Sequence, residues 1–258
     1  MKDSLLQIDE LKLGYKGVPS SYFNANGLSI ESGEIVVVLG ANGAGKSTLI
    51  KSIANLLSPL SGEIRFEGKA IGSWEAKELS QKMALVLTDK TFSGMLSVEA
   101  FVAFGRYPFT NWLGTLKSED QIAIKESIDR CGVGHLRGKN IDALSDGERQ
   151  KVFLARALAQ QSSFLILDEP TTHLDAKNTI SQLRLLKMLS SVEGKTILFS
   201  SHQFDLALQI ADKVWLIDSE KVHQIKPKDF YEDCVYQEML LGKDYRYNAE
   251  QKRFSLNI

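Results

Sequence analysis

The sequence predicts an α/β fold with a largely parallel sheet, preceded by an antiparallel β portion and interrupted by a helical subdomain. Three observations carry that expectation. Short β-rich runs alternate with helical stretches along most of the chain. Residues 35–39 and 164–167 are wholly apolar and strand-sized, as buried strands are. Between about 97 and 160, in contrast, apolar residues recur at helical spacing and no convincing strand interrupts them.

In chain order, residues 5–15 and 27–30 read as the antiparallel portion. Residues 35–39 run as a strand into a glycine-rich loop, and 47–57 follow as a helix. Residues 63–66, with Glu67-Gly68 after them, read as a hairpin arm, and 83–87 as another strand. Helical spacing covers 98–104, 118–131 and 148–160, and strands resume at 164–167, 196–200 and 214–218. The segment after Lys226 is polar and aromatic-rich, and its pattern assigns no element. There is no internal repeat or low-complexity tract. The organisation expected is a single domain over 1–258. Residues 1–90 and 161–225 form its α/β core, 91–160 a helical subdomain and 226–258 a C-terminal extension.

The bulk numbers narrow the class. A length of 258 residues, 43% hydrophobic and 24% charged, suits a globular protein with a substantial core. A net charge of −1 gives no global pull toward nucleic acid, and none is expected as a partner. Cys131 and Cys234 form no CxxC pair, which argues against a zinc site and for a reducing compartment. The acids Asp3, Asp9 and Glu10 come too early for a secretory signal. No apolar run approaches the ~20 residues of a membrane helix, so any membrane work needs another chain to do the spanning.

Gly40-Ala41-Asn42-Gly43-Ala44-Gly45-Lys46-Ser47 matches GxxxxGK[ST], with a strand before it and a helix after it. Glycines at Gly40, Gly43 and Gly45 let backbone N–H groups curl around a polyphosphate, and the helix start adds partial positive charge. Lys46 is placed to reach the β- and γ-phosphates and Ser47 to ligate Mg²⁺, and Thr48 joins them as an ATP-binding residue. Strand 164–167 ends in Asp168-Glu169, two carboxylates at the edge where open α/β sheets bind ligands. Asp168 suits the Mg²⁺ shell, and Glu169 suits the general base that polarises an attacking water. His202, after strand 196–200, lies on that same edge and suits a contact to the γ-phosphate or the water. Tyr15 offers an aromatic face for stacking on a base. His135, His173 and His223 read as structural histidines.

Together these segments closely resemble the ATP-binding subunit of an ABC transporter, over residues 5–225 and with every motif in order. The resemblance implies a phosphate-loop NTPase core with ATP and Mg²⁺ as ligands. It implies that Tyr15 stacks on adenine, that Asn42 lies in the Walker A loop with its glycines, and that Phe164 to Glu169 form Walker B. Leu144-Ser145-Asp146-Gly147-Glu148-Arg149-Gln150 is similar to the signature motif, which would contact ATP across a dimer through Ser145, Asp146, Gly147 and Glu148. Thr172-His173-Leu174-Asp175 looks like the D-loop and His202 like the switch histidine. Phe104-Gly105-Arg106-Tyr107-Pro108 is similar to importers of iron–siderophore, haem and cobalamin chelates. One phosphate loop and one signature per chain imply a two-fold dimer that sandwiches two ATP molecules. Implied partners are a second copy, separate transmembrane permease subunits and, indirectly, a substrate-binding protein. The implied location is peripheral, on the cytoplasmic face of the plasma membrane.

Two departures stand out. Thr88, with Asp89 next, occupies the position where the family carries the Q-loop glutamine. Threonine is too short to copy that reach, so altered Mg²⁺ ligation is expected. Asp146 and Glu148 replace the usual Gly and Gln of the signature. Ser145-x-x-Glu148 is also a capping box, so both acids fit the first turn of a helix. An ABC exporter, a lipid-extraction ATPase or a soluble non-transport ABC ATPase share these motifs and are the competing readings.

Overall fold

The computed structural model describes residues 4–15, 23–87, 95–218, 220–242, 245–248 and 253–256. Its strands are β1 (Ser4–Leu13), β2 (Phe23–Ala25), β3 (Leu28–Glu31), β4 (Ile35–Gly40), β5 (Ser61–Phe66), β6 (Lys69–Ala70), β7 (Met83–Val86), β8 (Phe164–Leu167), β9 (Thr196–Ser200), β10 (Lys213–Ile217), β11 (Lys221–Ile225), β12 (Tyr245–Asn248) and β13 (Arg253–Leu256). Its helices are α1 (Lys46–Ile53), α2 (Ala76–Lys82), α3 (Val98–Ala103), α4 (Ser118–Arg130), α5 (Asp146–Ala159), α6 (Ala176–Ser191), α7 (Phe204–Leu208), α8 (Pro227–Glu232) and α9 (Cys234–Leu241). They fall into two compact units: Met1–Ser73 with Leu198–Ile258, and Trp74–Ile197.

In the first unit the sheet runs β6-β5-β1-β2-β11-β10-β4, with β3 on β1. Strand β10 runs parallel to β4 and antiparallel to β11. All six residues of β4 are buried, which explains its uninterrupted apolar sequence. Strand β1 is half-exposed and alternates instead. Its buried residues change phase between Leu6 and Ile8 on one side and Leu11 and Leu13 on the other. The slip falls at Glu10, whose φ is 50°. There the pairing with β5 shifts register between Asp9 and Lys12, as a β-bulge requires.

The C-terminal segment, which sequence pattern leaves without an element, forms α8, α9 and the β12–β13 hairpin. An aromatic cluster joins it to α7: the Phe204 ring lies 5.0 Å from Phe254 and 6.1 Å from Phe230, and Tyr231 lies 4.8 Å from Tyr247.

In the second unit β7 and β8 pair in parallel, from Met83 with Phe164 to Val86 with Leu167. Helix α5 packs against α3 and α4. The Gly105 backbone touches it so closely that a Cβ there would lie 2.2 Å from Arg156 O. Next to it, the buried Arg106 closes the end of α5. Its Nε donates to Asp120 at 2.7 Å, and its Nη1 donates to Ala159 O at 2.9 Å and to Gln161 Oε1 at 3.0 Å. Burial pushes the Asp120 carboxyl up, but the Lys117 N–H and the Arg106 guanidinium outweigh it and hold it below the usual carboxylate range. The last turns of α5 also grip β7: Arg156 Nη2 donates to Leu85 O at 2.7 Å, and Gln160 Nε2 to Met83 O at 2.7 Å and to Ser80 O. Between residues 97 and 160 the only described strand-like contact is an isolated bridge of Ser97 with Asn140.

Candidate functional site

In the first unit β4 ends at Gly40 and the chain turns, with Ala44 N donating to Ala41 O at 3.2 Å. Gly43 and Gly45 take φ values of 78° and 103°. A Cβ on Gly45 would lie 2.4 Å from Cε1 of the buried Phe23, so the ring beneath the loop and the left-handed backbone both exclude a side chain. Gly45 is the N-cap of α1, no side chain among the described residues caps that end, and the first turn holds no acid. A helix start of this kind favours an anion. Lys46 is only 5% exposed, and its Nζ donates to Gly40 O at 2.8 Å and Ala41 O at 3.0 Å. The ammonium is thus held against the loop itself. Ser47 is half-buried and Thr48 buried in the same turn, while Asn42 is exposed.

Two further residues lie in this unit. Tyr15, just past β1, has its side chain 47% exposed. His202 is exposed and follows Ser201, whose N–H donates to Val38 O at 3.3 Å. That bond sets His202 at the end of the sheet where β4 gives way to the phosphate loop.

In the second unit Ser145 is the N-cap of α5. Glu148 N donates to Ser145 Oγ at 3.3 Å, and Glu148 Oε2 accepts from Ser145 N at 2.9 Å and from its hydroxyl at 2.8 Å. The capping box that the sequence implies is therefore present. These bonds, the backbone N–H first, hold the Glu148 carboxyl below its usual range. Gly147 follows in the first turn, where a Cβ would meet His173 O at 3.3 Å. Asp146 is exposed beside it.

Strand β8 delivers Asp168, 2% exposed, whose N–H donates to Val86 O at 2.8 Å. Glu169 comes next with φ 50°, an uncommon value for a residue with a side chain. Its Oε2 accepts from Thr172 Oγ1 at 3.1 Å. Its carbonyl accepts from Thr172 N at 3.3 Å and from Gln150 Nε2 at 3.3 Å. Gln182 Nε2 donates to Pro170 O at 2.6 Å. Asp175 caps α6, accepting from Asn178 N at 2.7 Å.

The sequence-selected residues thus sort by unit. Tyr15, the phosphate loop and His202 belong to the first, and Ser145 to Glu148, Asp168, Glu169 and Asp175 to the second. Thr88 and Asp89 lie outside the described residues. Sequence reasoning gives no place to Phe23 and Gln182, and gives Gln150 and Thr172 no role beyond membership of the signature and D-loop segments. Gln150 was visible as the last residue of the signature motif, but nothing in its identity signals a buried amide. Among the described residues no three His, Cys, Asp or Glu side chains gather as a metal cage. The two Mg²⁺ candidates, the Ser47 hydroxyl and the Asp168 carboxylate, are oxygen donors of the kind Mg²⁺ takes alongside waters and substrate phosphates.

A glycine cradle at an uncapped helix start, with a buried strand ending in paired carboxylates, defines an ATPase of the phosphate-loop class. The profile described as ABC transporter matches residues 23–172. The chain is 42% identical over 84% of its length to an uncharacterized ABC transporter ATP-binding protein of Methanocaldococcus jannaschii, covering 74% of that protein. It is 34% identical over 85% of its length to a probable siderophore transport system ATP-binding protein of Bacillus subtilis, covering 79% of it. Its fold is similar to that of a metal-chelate type ABC transporter in an inward-facing conformation, with a TM-score of 0.80, 24% identity, and coverage of 98% of this chain and 96% of that one. The chain belongs to the ABC transporter family, as one of its ATP-hydrolysing subunits. Among the described residues no helix is long and apolar enough to cross a membrane.

Proposed function

We propose that this subunit powers import of a metal chelate, such as an iron–siderophore, haem or cobalamin, through separate permease subunits. It would sit on the cytoplasmic face of the plasma membrane. The observation that carries the ATP chemistry is the cradle at the start of α1, formed by left-handed glycines, no capping side chain, no first-turn acid and a buried lysine. Support for the cargo class comes from the Bacillus subtilis relative named for siderophore transport, together with the Phe104 to Pro108 element.

In this reading Gly40, Asn42, Gly43 and Gly45 wrap the phosphates with their backbone. Lys46 leaves the loop carbonyls to meet the β- and γ-phosphates, and Tyr15 stacks on adenine. Ser47 and Asp168 would hold Mg²⁺, which would neutralise charge on the phosphate oxygens, and Thr48 belongs to the ATP-binding set. Glu169 polarises the attacking water and His202 contacts the γ-phosphate. Ser145 and Gly147 face the ATP of a second copy, flanked by Asp146 and Glu148, with Asp175 at the same dimer face. Thr88 and Asp89 stand where the family's Mg²⁺-coupling glutamine would be. ATP binds the closed dimer better than the open one and so drives the permease between its two states. A substrate-binding protein delivers the chelate on the far side.

The test is copurification of the full chain with its membrane partner, followed by ATP-dependent uptake of a labelled ferric siderophore. A many-helix permease that also recruits a substrate-binding protein is expected. A partner that extracts lipid or exports its cargo would overturn the importer reading and leave the ATPase assignment standing. Mg²⁺ dependence and transport-coupled turnover that both stay unchanged from the parent in Thr88→Gln would remove the proposed role of that departure.

A further inference from the structure

Two buried glutamines converge on the Glu169-Pro170 peptide from different helices. Gln150 belongs to the second turn of α5 and is 1% exposed, and Gln182 belongs to α6 and is 5% exposed. Their amides donate to consecutive carbonyls, Gln150 Nε2 to Glu169 O at 3.3 Å and Gln182 Nε2 to Pro170 O at 2.6 Å. A carbonyl acceptor fixes each amide with its NH₂ forward. The opposite oxygens, Gln150 Oε1 and Gln182 Oε1, are buried with no hydrogen-bond partner among the described residues. An unpaired buried acceptor is unfavourable, so each glutamine is costly where an apolar side chain would pack well.

What the pair holds is itself strained. Glu169 sits at φ 50° with a full side chain, a conformation that persists only where its surroundings over-determine it. The surroundings do so here. Thr172 N and Gln150 share the Glu169 carbonyl, Thr172 Oγ1 binds its carboxylate at 3.1 Å, and Gln182 fixes the next carbonyl. Pro170 has no N–H, so the carbonyls are this peptide pair's main handles. The helices that supply the clamp are N-capped by Ser145 and Asp175.

We infer that Gln150 and Gln182 are positioning residues for Glu169, aiming its carboxylate through the backbone and tying that aim to the starts of α5 and α6. The inference rests on the reading of Glu169 as the general base. It differs from a purely structural role in what it leaves untouched: the phosphate cradle of the first unit shares no residue with the clamp, so KM for ATP should hold while kcat falls.

The experiment compares Gln150→Leu, Gln182→Leu and the double variant in the full chain, alone and in a Glu169→Gln background. It reads kcat, KM for ATP, thermal midpoint and ATP-dependent dimer formation. Misaiming a catalytic group costs about ten- to a hundredfold in rate. A kcat fall in that range is expected for Gln150→Leu, with KM within twofold and the midpoint close to that of the parent. Gln182→Leu leaves Pro170 O without its side-chain donor and is the variant more exposed to unfolding; Gln150→Leu keeps the test decisive. In the Glu169→Gln background, Gln150→Leu should still form the ATP-dependent dimer. Unchanged kcat in Gln150→Leu, an equal loss of ATP affinity and kcat, or loss of that dimer would each overturn the clamp. Normal hydrolysis by Glu169→Gln alone would instead overturn the base assignment, and the clamp's catalytic role with it.

Discussion

Helix α1 starts at Gly45 with no side-chain cap and no acid in its first turn, whereas α5 starts at Ser145 inside a reciprocal cap with Asp146 and Glu148 beside it. Both starts carry glycines, and both belong to motifs that the family uses around ATP. The first keeps its own side chains away from the positive end of the helix dipole and so suits a polyphosphate. The second satisfies that end internally. A γ-phosphate brought to the signature must compete with the Glu148 carboxylate for the Ser145 hydroxyl, which already donates to it at 2.8 Å. Similar glycine spelling therefore produces one uncapped helix start suited to an anion and one self-capped turn, which in the proposed dimer would meet a partner's nucleotide.

The largest effect that would break this contrast is at the open start. Lys46→Ala removes the cation that the loop presents, and hydrolysis should fall by about a hundredfold or more, as on losing a preorganised charge contact. Single-turnover kinetics with labelled ATP would measure it. Gly45→Ala comes next. It forces a side chain into φ 103° and against Phe23, and should destabilise the fold by about 1–3 kcal/mol and weaken ATP binding. Adding Phe23→Leu should recover part of the loss in chemical denaturation. Failure to recover would show that the backbone, not the ring, dominates.

At the closed start the effects are smaller. Ser145→Ala should cost about 1 kcal/mol of stability, as loss of a helix N-cap does. Asp146→Gly should leave ATPase activity within several-fold of the parent. A large gain would mean that the acid opposes ATP and that the turn is more than self-capped. The smallest effect is a pH dependence. Because Ser145 holds the Glu148 carboxyl below its usual range, the cap's contribution is fully present above the unfolded carboxylate pKa of about 4.3. It is lost as pH falls through the lower folded value. Glu148→Gln should flatten that acid limb of the melting profile; an unchanged limb would assign it to other carboxylates such as Asp120.

Much of this was legible in the sequence, for specific reasons. The phosphate loop was readable because each of its fixed positions has a steric or charge requirement that few residues meet. Strands β4 and β8 were readable because strands buried along their whole length have no polar alternation to confuse them. The capping box was readable because its chemistry spans three residues. Other features depend on partners distant in sequence. The Phe104 to Pro108 element reads as a family mark, but only the fold shows Gly105 touching Arg156 O and Arg106 closing α5 through Asp120. Helix α1 was expected to reach residue 57 and ends at Ile53, with Asn55 at φ 57° just beyond it. Strand β11 went unassigned because its five residues, Lys221–Ile225, alternate too briefly to signal a strand without β10 and β2 beside it. The burial of Gln150 and Gln182 was invisible for a related reason, since a glutamine's default place is the surface.

The most direct measurement of the central claim is the molecular mass of the Glu169→Gln chain in solution, by light scattering, with and without Mg²⁺-ATP. A monomer that becomes a stable dimer only when ATP is added, with hydrolysis abolished, is the expected result. A chain that stays monomeric with saturating ATP, or that hydrolyses ATP at the parent rate, would contradict it.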